Sequence, residues 1–147
     1  MVSSTARRTV AAPTPLAGAL ALVGDRWTLL IIEALLGGPA RFGDLTTAVA
    51  GVAPNTLSDR LRRLEAAGLL VSLPYSDRPP RHEYRLTGTG ADLAGALRLL
   101  AAWGAGPGGG AAPLEHRTCG TPLEARWFCP TCDRSVADEE GPDLSFA

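Results

Sequence analysis

Residues 54–87 read PNTLSDRLRRLEAAGLLVSLPYSDRPPRHEYRLT, and this stretch decides the fold. Pro54 suits the first position of a helix, where its missing N–H is no loss. Leu57, Leu61 and Leu64 recur at i, i+4 and i+7, so they share one apolar stripe. Asp59, Arg60, Arg62 and Arg63 fall off that stripe. Gly68 stands where such a helix ends. Leu69–Leu73 is strand-like, Pro74 to Pro80 reads as a turn, and His82–Leu86 alternates as a returning strand. An amphipathic helix running directly into a β-hairpin is expected.

Working outward, Thr14 and Pro15 start a short helix with an N-cap oxygen and a proline at N1. Its apolar positions are Leu16, Leu20 and Val23, and Gly24 ends it. Asp25 caps the next helix, where Trp27, Leu30, Ile31, Ala34 and Leu35 form a wide apolar face over Trp27–Leu36. Gly37, Gly38 and Pro39 stop it. Phe42, Leu45 and Val49 have helical spacing in a short helix closed by Gly51. After the hairpin, Thr87 caps a long helix, Gly90–Trp103, with the stripe Leu93, Ala96, Leu97, Leu100 and Trp103. Four helices, a hairpin and a last helix predict an α+β, mainly helical, winged helix-turn-helix domain over residues 14–104. The polar, proline-bearing residues 1–13 are expected to be disordered. Residues 105–113 are glycine- and alanine-rich and read as a linker. They lead to a small tail, 114–136, and an acidic end, 137–147, also expected to be disordered.

The chain has 147 residues, enough for one domain and an appendage. No run of 18 apolar residues exists, which excludes a membrane helix. Pro13 and Pro15 interrupt the segment after Arg7 and Arg8, so a secretory signal is not expected and a cytoplasmic, nucleoid-associated location is. Net charge is −1, but its distribution is uneven. Residues 1–103 hold 11 arginines and 8 acids, and residues 104–147 hold 3 arginines and 7 acids. A mildly basic body with an acidic tail is compatible with a nucleic-acid partner. No glycine-rich phosphate loop follows a strand, no Gly-x-Ser-x-Gly occurs, and no catalytic constellation is visible, so an enzyme is not expected.

Four boxes in one collinear order carry a family resemblance. They are Gly24-Asp25-Arg26-Trp27-Thr28-Leu29-Leu30-Ile31, Arg41-Phe42-Gly43-Asp44-Leu45, Thr56 through Leu69, and Pro79-Pro80-Arg81-His82-Glu83-Tyr84-Arg85-Leu86-Thr87. Over about residues 14–104 the chain resembles the HxlR-type winged-helix transcriptional regulators of bacteria. The resemblance implies sequence-specific binding of double-stranded DNA by a homodimer, with room for a small-molecule effector. Repression by occlusion is the commoner expectation for a small dimer lacking a separate activation domain, with activation as the alternative. Two positions depart from the family pattern. Thr14 stands where oxidant-sensing members carry a cysteine, and Gly88 stands where an acidic residue would complete a capping box.

In a recognition helix, Asn55, Thr56 and Ser58 are short enough to approach bases or phosphates at the helix N-terminus. Arg60, Arg62 and Arg63 read as phosphate clamps, with Asp59 orienting Arg60 or Arg63 or accepting from cytosine. Arg78 and Arg81 would sit at the wing, and Arg41 joins the candidate DNA contacts. Trp27 and Phe42 lie on apolar faces and read as core. His82 reads as a satisfied strand histidine rather than a pH switch. The stripes of the first and last helices exceed what so small a body needs. Leu16, Leu20, Leu97, Leu100 and Trp103 are therefore candidate dimer contacts.

The tail reads His116-x2-Cys119-Gly120, nine residues from Gly120 to Phe128, then Cys129-Pro130-x-Cys132. Two donor pairs at x2 spacing supply four N/S ligands, the set that tetrahedral zinc takes, so one structural zinc per chain is expected in a zinc-ribbon-like tail. Asp133 or a water could stand in for His116. The competing readings are a Cys129–Cys132 redox pair serving a redox-responsive regulator, and a winged-helix protein–protein module with a zinc tail. A catalytic metal is disfavoured because four ligands leave no open position.

Overall fold

Local sequence explains where each helix begins. The Thr14 hydroxyl accepts the Ala17 N–H at 3.1 Å and starts α1 (Pro15–Val23). The Asp25 carboxylate accepts the N–H groups of Trp27 and Thr28 and starts α2 (Arg26–Leu36). The computed structural model describes residues 14–77, 80–105 and 114–136. The expected disordered ends, residues 106–113 of the expected linker, and Arg78 lie outside the described residues.

After α2 come β1 (Ala40–Arg41), α3 (Phe42–Ala48) and α4 (Pro54–Ala66). The wing follows as β2 (Leu70–Asp77) and β3 (Pro80–Leu86), then α5 (Gly88–Ala91) and α6 (Ala94–Ala105). Helix α4 closes with paired bonds, from Gly68 N–H to the Glu65 carbonyl and from Leu69 N–H to the Leu64 carbonyl, each 2.9 Å. This geometry aims the chain straight into β2. Ile31, Ile32 and Leu35 of α2, Leu45 of α3, Leu57, Leu61 and Leu64 of α4, and Leu70 of β2 are buried together. Each such side chain contributes about 1.5–3 kcal/mol. The result is the expected α+β winged helix-turn-helix.

Five expectations need correcting. First, the sheet has three antiparallel strands in the order β1-β3-β2, not two. Ala40 pairs with Tyr84 and Arg41 with Glu83. Second, the turn is much shorter than Pro74 to Pro80, because β2 runs to Asp77 and β3 starts at Pro80. Pro74 is tolerated because β2 is an edge strand and its register shifts between Pro74 and Ser76. Third, Leu30 is exposed, while Thr28 and Ile32 are buried beside Ile31 and Leu35. Thr28 can be buried because its hydroxyl donates to the Asp25 carboxylate. Fourth, the long last helix is broken at Asp92 and Leu93 into α5 and α6. Fifth, α6 runs through Ala105, one residue into the expected linker.

The break has a packing cause. A Cβ on Gly90 would lie 2.0 Å from the Leu69 carbonyl oxygen, so α5 is pressed against the start of the wing. Thr87 stitches the same junction. Its hydroxyl donates to the Gly68 carbonyl at 2.7 Å and accepts the Gly90 N–H at 3.1 Å. Gly90→Ala is therefore expected to cost about 1–3 kcal/mol in thermal unfolding. Gly88→Ala, whose Cβ would meet nothing within 4 Å, is the control and should leave the melting midpoint close to that of the parent. Equal midpoints for the two variants would contradict the close approach.

Candidate nucleic-acid interface

With Leu57, Leu61 and Leu64 facing the core, helical geometry turns Asn55, Asp59 and Arg62 to the opposite side. Asn55, Arg62 and Arg63 are exposed, and Thr56, Ser58, Asp59 and Arg60 are half-buried. Ala53 offers no side-chain cap, so the first-turn N–H groups of α4 are not taken up by one. Such a helix start favours an anionic ligand.

The three arginines of α4 have different environments. Arg60 is held in place: its Nη1 donates to Asp59 Oδ2 at 2.6 Å, and its Nε lies 3.1 Å from Asp25 Oδ2 without hydrogen-bond alignment. Its side chain is 21% exposed, against 71% for Arg63. Arg63 Nε lies 3.4 Å from Asp59 Oδ2. Arg62 Nε donates to the Ser58 carbonyl at 3.3 Å and otherwise projects outward. Asp59 thus contacts both Arg60 and Arg63. Arg60 also ties α4 to the start of α2, a use that composition alone does not reveal.

Asp25 is the hub of that tie. Burial alone would raise its carboxyl. Hydrogen bonds from the Thr28 hydroxyl and N–H, together with the Arg60 guanidinium, outweigh burial and hold it below the ordinary aspartate value. Stability from a carboxylate lowered in this way is fully present above the unfolded-chain value and is lost as pH falls through the folded one. Asp25→Asn is expected to lower the melting midpoint near neutrality and to flatten its fall in acid. An acid limb as steep as the parent's would show that Asp25 carries no such linkage.

On the wing, the Arg41 guanidinium lies 4.4 Å from the centroid of the Tyr75 ring, so β1 delivers its arginine to the face of β2. Arg81 is exposed opposite Ser76 in the hairpin. The Ser72 N–H donates to Glu65 Oε1 at 3.1 Å and fastens the wing to α4. An open groove of about 280 Å³ follows this seam, bordered by Phe42, Ser58, Arg62, Ser72, His82 and Tyr84 among others. His82 Nδ1 sits 2.9 Å from the Ser72 hydroxyl, a local partner of the kind expected. Trp27 and Phe42 pack against the core. Tyr75 and Glu65 were not singled out by sequence; their roles depend on pairing across β1, β2 and α4.

A second surface is apolar. Leu16, Leu20 and Leu22 of α1, and Leu99, Leu100 and Trp103 of α6, are exposed. Leu97 differs from the other candidate dimer contacts, because it is half-buried against the protomer's own core.

The tail contains two hairpins, β4 (Glu115–His116) with β5 (Thr121–Pro122), and β6 (Trp127–Cys129) with β7 (Arg134–Val136). His116 Nδ1 and Cys119 Sγ lie 3.3 Å apart in the first turn. The hydroxyl and N–H of Thr121 hold the Cys119 thiol below its ordinary value. In the second turn, N–H and side-chain bonds from Cys132, with the Thr131 N–H, lower the Cys129 thiol, and the same bond to Cys129 raises Cys132. Among the described residues, no group of three or more His, Cys, Asp and Glu side chains gathers at metal-binding distance, so the donors stand as two pairs.

Among the described residues, no helix is long and apolar enough to cross a membrane. The HxlR-like helix-turn-helix family matches residues 22–108. Rv3095 of Mycobacterium tuberculosis, an uncharacterised HTH-type transcriptional regulator, is 44% identical over 84% of this chain and 84% of its own. The crystal structure of PA1607, described as a candidate transcription factor, is similar over 93% of this chain and 96% of that one, with 30% identity and a TM-score of 0.76. The redox regulator HypR in its reduced form covers 62% of this chain and 90% of its own, at 27% identity and a TM-score of 0.59. The family and the curated relatives are transcriptional regulators and not enzymes.

Proposed function

Because the chain belongs to the HxlR-like helix-turn-helix family of transcriptional regulators, we propose that it binds specific double-stranded DNA sequences as a homodimer and represses transcription by covering them. The observation that carries this reading is the outward stripe of α4. Asn55, Asp59 and Arg62 stand opposite the buried leucines, with Arg63 beside them and the wing immediately after. A helix of this kind enters the major groove, where Asn55 would pair with adenine and Thr56 and Ser58 would meet base edges or phosphate. Arg62 and Arg63 would bind phosphate. Arg81, Arg41 and Arg78 would serve the flanking backbone or minor groove. Arg60, engaged with Asp25 and Asp59, would set the angle of α4 on the domain more than it would grip DNA.

Selection from genomic DNA tests this without a defined operator. Purified full-length protein is mixed with fragments of its own genome, and the retained fragments are sequenced. The expected result is an enriched pseudo-palindrome whose half-sites lie about one helical turn apart, ~34 Å. Transcription from an enriched promoter should fall when the protein is added. Retention with no sequence enrichment would reject specific DNA recognition and favour a protein–protein module. Activation in place of repression would overturn the sign alone.

A further inference from the structure

We propose that the tail is a zinc site in which His116, Cys119, Cys129 and Cys132 of one chain hold a single ion and clamp its two hairpins together. Three observations converge on this. The first is the shape of the turns. In both hairpins the donor pair is followed at once by a residue in the left-handed backbone region, Gly120 at φ 69° and Asp133 at φ 50°. Asp133 is the single described non-glycine residue with positive φ. Two unrelated turn sequences therefore adopt the same unusual geometry at the same offset from their donors. That conformation closes the first turn on its own backbone. Cys119 and Gly120 N–H donate to the His116 carbonyl at 3.1 and 2.8 Å, which holds His116 and Cys119 on one tight turn.

The second observation is the bite of the first pair. Zinc holds nitrogen at about 2.0–2.1 Å and sulfur at about 2.3 Å, so a tetrahedral N···S edge is ~3.5 Å. His116 Nδ1 and Cys119 Sγ are already 3.3 Å apart. The third is the absence of an apolar core in the tail. No residue in 114–136 is fully buried, and Leu114, Leu123, Trp127 and Phe128 are all exposed. Hairpins this short are not stable without a further constraint.

The connection permits one ion to reach both pairs. β5 leads away from the first turn and β6 leads back to the second. The segment between them, residues 123–126, belongs to neither hairpin and has no regular secondary structure. Binding of one ion would close the two turns on each other across this segment and complete the four-donor set. On binding, the three thiols release their protons to solvent and the imidazole binds neutral through one nitrogen. No electron moves.

The test uses full-length protein purified under reducing conditions. Elemental analysis is expected to find about one zinc per chain, with all three thiols protected from a thiol reagent until a strong chelator is added. Metal-free protein titrated with Co²⁺ should show thiolate-to-metal absorption and the intense visible bands of a tetrahedral site. Cys129→Ser should abolish them, while His116→Ala should weaken binding and keep the thiolate bands. Chelation should speed hydrogen exchange in 114–136 and leave residues 26–86 unchanged. About half an equivalent of zinc or less, with three freely reactive thiols, would overturn the intrachain site. So would a Cys129–Cys132 disulfide formed on mild oxidation of protein that never held metal. Neither result touches the DNA-binding reading, which rests on α4.

Discussion

Arg62→Ala combined with Arg63→Ala is expected to weaken binding to every duplex and to make it much less sensitive to salt. Each phosphate contact releases counterions, and log K falls with log salt by about 0.9 per contact. In a dimer each substitution appears twice, so the double variant removes about four contacts and makes the slope shallower by roughly three to four units. At ~0.1 M salt the same relation implies an affinity loss on the order of a thousandfold. The fold should survive, because Arg62 and Arg63 are exposed and their bonds stay within α4. Exposed pairs of this sort contribute little to stability. Asn55→Ala should behave differently. It should narrow the gap between operator and random DNA by about 1–3 kcal/mol and leave the salt slope alone, as a base contact does. The measurement is a binding titration at several salt concentrations, with circular dichroism to confirm folding. A folded double variant with the parent's affinity and slope would remove α4 from the interface.

Arg60 illustrates what sequence cannot supply. Its charge matches that of Arg62 and Arg63, and sequence grouped the three together, although helical geometry sets Arg60 nearer the leucine stripe than either. Arg60 instead turns toward the start of α2, where Asp25 both caps that helix and faces the guanidinium. The cap was legible because it is local. The ion pair joins residues far apart in sequence, so it appears only once α2 and α4 pack. Thr28 was missed for a similar reason. A period built on apolar residues does not count a threonine whose hydroxyl has a private acceptor.

Helix α4 was legible from end to end because Pro54, the leucine stripe and Gly68 all act within one element. The two-residue β1 has no period of its own. It exists because β3 has a free edge beside the N-terminus of α3, where the Arg41 N–H also donates to Asp44 at 2.9 Å. The break between α5 and α6 was hidden because Gly90 is shaped by the Leu69 carbonyl, a tertiary contact, while the apolar spacing runs on unbroken through Trp103. In the tail, the x2 spacings were readable directly, and the matching left-handed residues after each pair became visible only in the folded turns.

Trp103→Asp is expected to convert a dimer into folded monomers. Helix α1 leaves Leu16, Leu20 and Leu22 uncovered, and α6 leaves Leu99, Leu100 and Trp103 uncovered, so each protomer carries two apolar faces that its own core does not use. A second copy would cover both by symmetry, because α1 of one protomer can lie against α6 of its partner and the reverse. Burying one such side chain contributes about 1.5–3 kcal/mol. Each substitution counts twice across the symmetry axis, so removal should raise the dimer dissociation constant by about two to four orders of magnitude. Trp103 is a cleaner probe than Leu97 or Leu100. It is 81% exposed in the protomer, so replacing it leaves the monomer core intact, whereas Leu97 packs against that core. Sedimentation or light scattering should report twice the 15.3 kDa chain mass for the parent and the single chain for the variant. The same change should weaken binding to a full palindrome far more than binding to an isolated half-site, since the two recognition helices no longer arrive as a unit. A folded Trp103→Asp protein that stays dimeric would move the interface away from α6. Leu20→Asp on α1 then asks whether the first helix alone holds the pair, and a dimer that survives both substitutions would place the contact elsewhere on the domain.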